Sequence, residues 1–196
     1  MRFFIPIAIA LAGLAAAEEP AAPGFTAIDD ALRFDQASLT VFVFVDTDCP
    51  IANAMAPEIE RIFCDTKARG VRLYRVYAGP FYDNNAVIQH AADYEYTAPA
   101  ILDPEMQLVR LTGALITPEA VVYDAEGNRR YRGRISDLYA DLGVKRQAAS
   151  RHDLREAIEA LLNNREVPRA ETKAVGCFLP KAGGASEETL REEPQS

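Results

Sequence analysis

The sequence predicts an α/β protein, a three-layer sandwich in which helices cover both faces of a central mixed sheet. Three observations support this fold class. Residues 39–45, "LTVFVFV", form an unbroken run of aliphatic, β-branched and aromatic side chains, as in a central strand. A helical segment and a second strand follow, which indicates a parallel pair. Residues 116–135, "ITPEAVVYDAEGNRRYRGRI", then predict a hairpin that adds antiparallel strands.

The composition is that of a globular protein with one core. Of the 196 residues, 49% are hydrophobic and 26% are charged, which excludes a wholly disordered chain and a multispan membrane protein. The net charge is -8, and the lysines and arginines are dispersed along the sequence. Such a surface repels phosphate backbones and anionic lipids, so nucleic acid and membrane are not expected partners.

The two ends of the chain predict appendages. Residues 1–17 combine one basic residue, an apolar run and the small-residue site "AAA", which predicts a secretory signal peptide and a periplasmic or secreted protein. The apolar run is shorter than the roughly 20 residues of a membrane-spanning helix. An uncleaved membrane anchor is the alternative to a cleaved signal peptide. We expect a linker over 18–25, one domain over 26–165, an extension over 166–180 that carries Cys177, and a disordered acidic tail over 181–196.

The first half of the domain has clear helix and strand boundaries. Thr26 and Asp29 are spaced as a helix cap, which predicts a short first helix. After the strand at 39–45, a helix is expected over 51–68, with Gly70 as its stop, and a strand begins at Val71. These elements form a β-α-β unit.

The second half begins with an inserted helix, strand and helix. A helix opening on Asn84 precedes the short strand "APAIL", and Asp103 with Pro104 predicts the cap and first position of another helix, which stops at Gly113. The hairpin turn follows, with positive φ expected at Gly127 and Asn128.

The last helix of the domain is expected after Ser150. Ser150 and Asp153 are spaced as a capping box, and an apolar stripe that includes Leu154 and Ile158 predicts packing on a sheet face. Residues 163–180 should then run in an extended conformation.

The turn between the first strand and its helix is the chemically distinctive part of the sequence. Cys49 lies at the start of the helix, where backbone N–H groups and the helix dipole favour a thiolate, while the charges of Asp46 and Asp48 oppose it. Pro50 fits the first helical position without loss of a hydrogen bond. Pro57 lies inside the helix, where a proline costs about 3 kcal/mol, and predicts a kink near Asn53.

These residues resemble the thioredoxin superfamily. "DCPIANAMAPEIERI" matches its pattern of strand, cysteine, proline-containing turn and helix proline, and residues 98–135 resemble the redoxin branch, which includes peroxiredoxin-like and periplasmic thiol-reductase-like proteins. The resemblance implies a thioredoxin-like fold with a redoxin-type insertion before the hairpin. It also implies that Thr117 and a cis Pro118 face the nucleophile Cys49, whose sulfur is expected to lie bare at the end of the kinked helix. The implied substrates are a protein thiol or disulfide, or a peroxide, with an external thiol as reductant.

The site departs from the pattern of each branch. A thioredoxin-type second cysteine would stand at Ala52, and the peroxiredoxin threonine would stand at Asp46, one residue before Thr47. "TDCP" is also similar to the copper-chaperone branch, whose second cysteine would fall at Asn53. The alternative to an oxidoreductase is therefore a non-catalytic redoxin module that binds a partner protein or Cu(I).

The other two cysteines have several possible roles. Cys64 lies on the same helix as Cys49, about 22 Å along the axis, so these two cannot bond to each other. Cys177, in the apolar stretch "AVGCFLP", is the candidate resolving partner of Cys49. Pairing of Cys177 with Cys64, or no internal bond at all, stays open. Cys64 itself is expected to be a small buried hydrophobic residue.

The remaining candidates are weaker. His90 and His152 are the only histidines, and both are expected on the surface or at helix caps, so no metal cluster is predicted. Arg132 and Arg134 are expected to be solvated on an edge strand, with stabilisation of a thiolate as the alternative. No glycine loop suited to phosphate is present, so no cofactor is predicted.

Overall fold

A computed structural model describes residues 24–180 of the chain. The helices of this part are short except for the second, and they are α1 (Ile28–Ala31), α2 (Pro50–Thr66), α3 (Asn84–Asp93), α4 (Gln107–Thr112) and α5 (Asp153–Leu162). The strands are β1 (Leu39–Phe44), β2 (Val71–Ala78), β3 (Ala100–Asp103), β4 (Ile116–Thr117), β5 (Glu119–Asp124), β6 (Arg129–Gly133), β7 (Tyr139–Asp141), β8 (Val144–Lys145) and β9 (Cys177–Phe178).

Five strands form the central sheet, in the order β3-β2-β1-β5-β6. The strand β1 is central, as predicted, and pairs in parallel with β2 and antiparallel with β5. The strands β5 and β6 form the predicted hairpin. The segment α3-β3-α4 lies between β2 and this hairpin, with β3 parallel to β2. The mixed sheet and the inserted segment confirm the predicted fold class.

The sheet separates two apolar layers because successive side chains of a strand point to opposite faces. From β1, Val41 and Val43 face a core formed with α2, α3 and α5, whereas Phe42 and Phe44 face a second core formed with α1 and α4. All of these β1 side chains are fully buried. Helices on both faces therefore give the three-layer sandwich that the sequence predicts.

Several helix ends differ from their predicted form. No side chain caps α1, so the predicted pairing of Thr26 with Asp29 is wrong. The helix α4 begins at Gln107 instead of Pro104, and the carboxylate of Asp103 accepts hydrogen bonds from the N–H groups of residues 107, 108 and 109. Asp103 thus caps α4 from the end of β3.

The predicted capping box at Ser150 is also wrong. The hydroxyl of Ser150 donates to Asp137, and His152 precedes the first residue of α5. Asp153 is buried and binds both Arg134 and Arg169. Its carboxylate is therefore occupied by two guanidinium groups.

The end of the described chain returns to the sheet. After α5 the chain runs beside β6, where the backbone of Glu171 pairs with the backbone of Arg132. It then pairs as β9 with β4. In the hairpin turn Gly127 has φ +78°, whereas Asn128 has no positive φ, in contrast to the prediction.

The predicted signal peptide and acidic tail lie outside the described residues. Within residues 24–180, no helix is long and apolar enough to cross a membrane.

Candidate active site

The turn that carries Cys49 begins at the carboxyl end of the central strand. The backbone N–H of Asp48 donates to the carboxylate of Asp46 at 2.7 Å, which closes the turn. Cys49 is the residue that flanks the first turn of α2, with extended φ and ψ of -81° and 110°, and Pro50 takes the first helical position as predicted. The strand end and the fixed φ of proline thus place the thiol between β1 and α2.

The thiol of Cys49 points towards the hairpin. Its Sγ donates to the carbonyl oxygen of Thr117 at 3.2 Å and makes no capping hydrogen bond to the N–H groups of α2. The residue is only 1% exposed and forms a buried cluster with Ile51 and Ala52, against which Tyr139, Val175 and Cys177 pack. The expectation of a bare sulfur at the helix end is therefore wrong.

The strand β9 covers the sulfur. Cys177 lies directly opposite Thr117 in the antiparallel pair of β4 and β9. The backbones approach so closely that a Cβ on Gly176 would collide with the carbonyl oxygen of Thr117, which explains a glycine at this position. Cys177 consequently packs against Cys49.

The thiol of Cys177 has an unusual environment. Burial raises its pKa to about 12, together with a hydrogen bond to Cys49 and the negative charges of Cys49 and Asp46. At neutral pH Cys177 therefore keeps its proton.

The Thr117–Pro118 peptide bond is cis, as the resemblance implies. Both residues are buried, and the Thr117 hydroxyl donates to the carbonyl of Phe44 at 3.4 Å. This bond joins the hairpin to the end of β1, next to the turn that carries Cys49. The structure thus brings together all four predicted site residues, Cys49, Thr117, Pro118 and Cys177.

The prediction for His90 is wrong, because its side chain is buried and lies behind the Cys49 turn. Its Nε2 is 2.9 Å from Oδ1 of Asn53, and its Nδ1 is 2.7 Å from the hydroxyl of Tyr77. The sequence carried a signal for this: His90 follows Val87 by three residues and precedes Ala91, which places all three on the buried face of α3. His152 is half-buried at the start of α5, as predicted for a cap residue, and bonds to Glu58.

Cys64 and the two candidate arginines do not belong to the site. Cys64 is exposed, in contrast to the prediction, with its thiol 3.6 Å from a carboxylate oxygen of Glu60. Arg132 and Arg134 are partly buried and form ion pairs with Glu119 at 2.7 Å and with Asp153 at 2.6 Å. Their charges are therefore compensated by carboxylates instead of a thiolate.

The copper-chaperone pattern is not reproduced in this turn. Asn53 holds the position of the second cysteine, and its Nδ2 donates to the carbonyl of Thr47 at 2.8 Å. Among residues 24–180, no group of three or more His, Cys, Asp or Glu side chains is arranged to hold a metal ion.

Comparison with solved structures supports the fold. A hypothetical protein from Sinorhizobium meliloti is 20% identical with a TM-score of 0.68, and the match covers 77% of this chain and 84% of that one. An uncharacterized conserved protein from Geobacillus kaustophilus is 22% identical with the same TM-score, over 78% and 82%. A thioredoxin-like protein in its oxidized form is 15% identical with a TM-score of 0.50, over 66% and 81%.

No protein-family model matches the sequence, and no curated protein matches it. The mixed sheet, its strand order and these similarities show that the chain has a thioredoxin-like fold, with the segment α3-β3-α4 inserted before the hairpin. The resemblance seen in the sequence is therefore confirmed at the level of the fold.

Proposed function

We propose that this protein is an exported thiol–disulfide oxidoreductase in which Cys49 is the nucleophile and Cys177 the resolving thiol. The observation that carries the proposal is the contact of the two cysteines beside the carbonyl of Thr117. Two thiols in contact on separate elements can form a disulfide without a large movement of the backbone. The export follows from the pattern of residues 1–17.

The reaction is a pair of thiol–disulfide exchanges. The Cys49 thiolate attacks one sulfur of a substrate disulfide, forms a mixed disulfide and releases one substrate thiolate. The Cys177 thiol then loses its proton and attacks the sulfur of Cys49, releases the second substrate thiolate and leaves a Cys49–Cys177 disulfide. Two thiols of an external reductant restore the pair and become a disulfide themselves.

Access to Cys49 requires displacement of β9. This strand has two residues, and its flank adds one backbone bond from the N–H of Leu179 to the carbonyl of Leu115 at 2.9 Å. So few hydrogen bonds make local opening inexpensive compared with global unfolding. Opening would expose Cys49 together with the edge of β4.

A disulfide fits the site better than a peroxide. A peroxide-reactive thiolate benefits from a free guanidinium, but Arg132 and Arg134 are bound to carboxylates. Attack on a peroxide would give a sulfenic acid on Cys49, which Cys177 would convert to the same disulfide with loss of water.

The proposal is tested by peptide mapping after oxidation with glutathione disulfide. We expect a Cys49–Cys177 disulfide with Cys64 free, a trapped mixed disulfide at Cys49 in Cys177→Ser, and no turnover of a disulfide-bonded peptide by Cys49→Ser. Cys64→Ser is the matched control and should match the wild type. Absence of a Cys49–Cys177 disulfide at every glutathione ratio would overturn the proposal.

The rival is a non-catalytic module that binds a partner protein or Cu(I). Two neighbouring sulfurs suit a copper site better than one isolated thiol does, because Cu(I) prefers soft thiolate ligands. Titration with Cu(I) tests the copper-binding alternative: equal binding by the wild type and by Cys49→Ala excludes this site as a copper site.

A further inference from the structure

A chain of buried hydrogen bonds runs from the sheet to the Cys49 turn. Nη1 of Arg75 is 2.6 Å from the hydroxyl of Tyr77, which is 2.7 Å from Nδ1 of His90. Nε2 of His90 is 2.9 Å from Oδ1 of Asn53, and Nδ2 of Asn53 is 2.8 Å from the carbonyl oxygen of Thr47. Thr47 lies two residues before Cys49, so this chain of contacts ends at the site.

The chemistry of the groups fixes the direction of every bond. The Thr47 carbonyl can only accept, so Nδ2 of Asn53 donates to it, and Oδ1 of Asn53 accepts from Nε2–H of His90. A neutral ring with its proton on Nε2 accepts at Nδ1 from the hydroxyl of Tyr77, which accepts in turn from the guanidinium of Arg75. The bond from Nε2 of His90 orients the amide of Asn53 so that its nitrogen faces the carbonyl of Thr47.

The burial of these groups keeps His90 neutral. His90 is 4% exposed, and Arg75 and Tyr77 are fully buried. Burial and, to a smaller extent, the charge of Arg75 together lower the pKa of His90 to about 4, against the attraction of nearby carboxylates. The ionisable groups that face the ring from the surrounding elements are Arg75, Tyr77, Asp46, Asp48, Asp93, Tyr94 and Tyr96.

Asn53 holds the turn of Cys49 from two sides. Its side chain binds the carbonyl of Thr47, and its backbone N–H donates to the carbonyl of Cys49 at 3.0 Å. The peptide units before and after the thiol are thus both fixed by one residue. A free Thr47 carbonyl would let the turn rotate and move Sγ of Cys49 away from Cys177.

We propose that His90 and Asn53 are positioning residues for Cys49: the neutral ring of His90 orients the amide of Asn53, which locks the turn that presents the thiol to Cys177. The inference rests on the proposed function, since it concerns the same thiol pair. It predicts that loss of these hydrogen bonds weakens the encounter of the two thiols, because small displacements of reacting groups cost large factors in rate.

The test measures the effective concentration of Cys49 for Cys177, from the glutathione ratio at which the disulfide is half formed. We expect His90→Leu and Asn53→Leu to lower it by about tenfold or more. His90→Gln should stay within about threefold of the wild type, because an amide can also donate to Asn53 and accept from Tyr77. Because the effective concentration reports on the two thiols themselves, it separates a positioning role of these residues from a general effect on protein stability.

His152→Gln is the matched control, since it removes the other histidine and should leave the effective concentration unchanged. Folded His90→Leu or Asn53→Leu with the wild-type effective concentration would overturn the proposal.

Imidazole ¹⁵N NMR of the wild-type protein provides a measurement without any variant. We expect His90 to be in the Nε2–H form down to about pH 4. A neutral ring with its proton on Nδ1 would overturn the proposal, and this result does not depend on the folding of any variant. If the wild type forms no Cys49–Cys177 disulfide, the proposed function fails, whereas the NMR result still decides on the hydrogen-bonded chain.

Discussion

At the scale of single residues, the two site cysteines differ in their hydrogen bonds and in their exposure to solvent. Cys49 donates to a backbone carbonyl, while Cys177 is partly exposed and its pKa is raised by burial and by Cys49 itself. Part of this rise depends on the state of Cys49, because a mixed disulfide carries no charge and offers no thiol to Cys177. Formation of the mixed disulfide should therefore activate Cys177 for the second exchange.

The first prediction follows from this dependence. In Cys49→Ala, the hydrogen bond and the charge of Cys49 are absent, so the pKa of Cys177 should fall below its wild-type value, although burial still keeps it raised. A fall of about one unit makes alkylation of Cys177 at pH 8 roughly tenfold faster. Mass spectrometry of quenched samples measures the rate.

Cys64 is the internal control for this experiment, because it is exposed and hydrogen-bonded to Glu60 instead of Cys49. Its alkylation rate should be the same in both proteins. An unchanged rate for Cys177 in Cys49→Ala would show that the two thiols do not interact.

At the scale of elements, helix ends explain where the sequence predicted well and where it did not. Pro50 begins α2 as predicted, and Gly70, with φ +81°, ends the 3-10 turn Lys67–Arg69 that follows α2, because fixed φ and positive φ are properties of the residues themselves. The hydroxyl and carboxylate caps were predicted less well, because such groups bind whichever donor or acceptor the tertiary structure brings near. Ser150, for example, donates to Asp137 across the loop.

The second prediction concerns β9 as the cover of Cys49. Gly176→Ala places a Cβ against the backbone of Thr117, so β9 should separate from β4. We expect Cys49 to react with a small alkylating reagent at least about tenfold faster, and the free energy of unfolding to fall by about 1–3 kcal/mol. Alkylation time courses and urea unfolding measure the two effects.

Lys173→Ala is the control, since Lys173 is an exposed residue of the same segment. It should leave the reactivity of Cys49 unchanged. If Gly176→Ala left Cys49 as unreactive as in the wild type, β9 would not be what limits access to the thiol.

At the scale of the whole molecule, the sequence predicts the sheet better than the site. The apolar run of β1 and the hairpin pattern depend on local periodicity, and both elements form as predicted. The burial of Cys49 depends on the cover by β9, which is distant in sequence. Local pattern carries no information about such a contact, so the expectation of a bare thiol is wrong, whereas the burial of His90 agrees with the helical spacing of Val87, His90 and Ala91.

The third prediction follows from the distance along the chain between the two site thiols. A Cys49–Cys177 disulfide would close a loop of about 130 residues, which the chain-entropy model converts to about 5 kcal/mol of stabilisation. It would tie the start of α2 to the last described strand, so every element from α2 to α5 lies inside the loop, whereas α1 and the central strand β1 lie outside it. Oxidised wild-type protein should therefore unfold at a clearly higher denaturant concentration than reduced protein.

Guanidinium unfolding with and without a reducing agent measures this difference, and about 5 kcal/mol is its upper limit, because a compact unfolded state reduces the entropy gain. Cys177→Ser should unfold identically under both conditions, while Cys64→Ser should show the same difference as the wild type. Equal midpoints for oxidised and reduced wild type would mean that the two thiols do not bond, and the contact at Thr117 would then have to serve a state in which both sulfurs stay reduced.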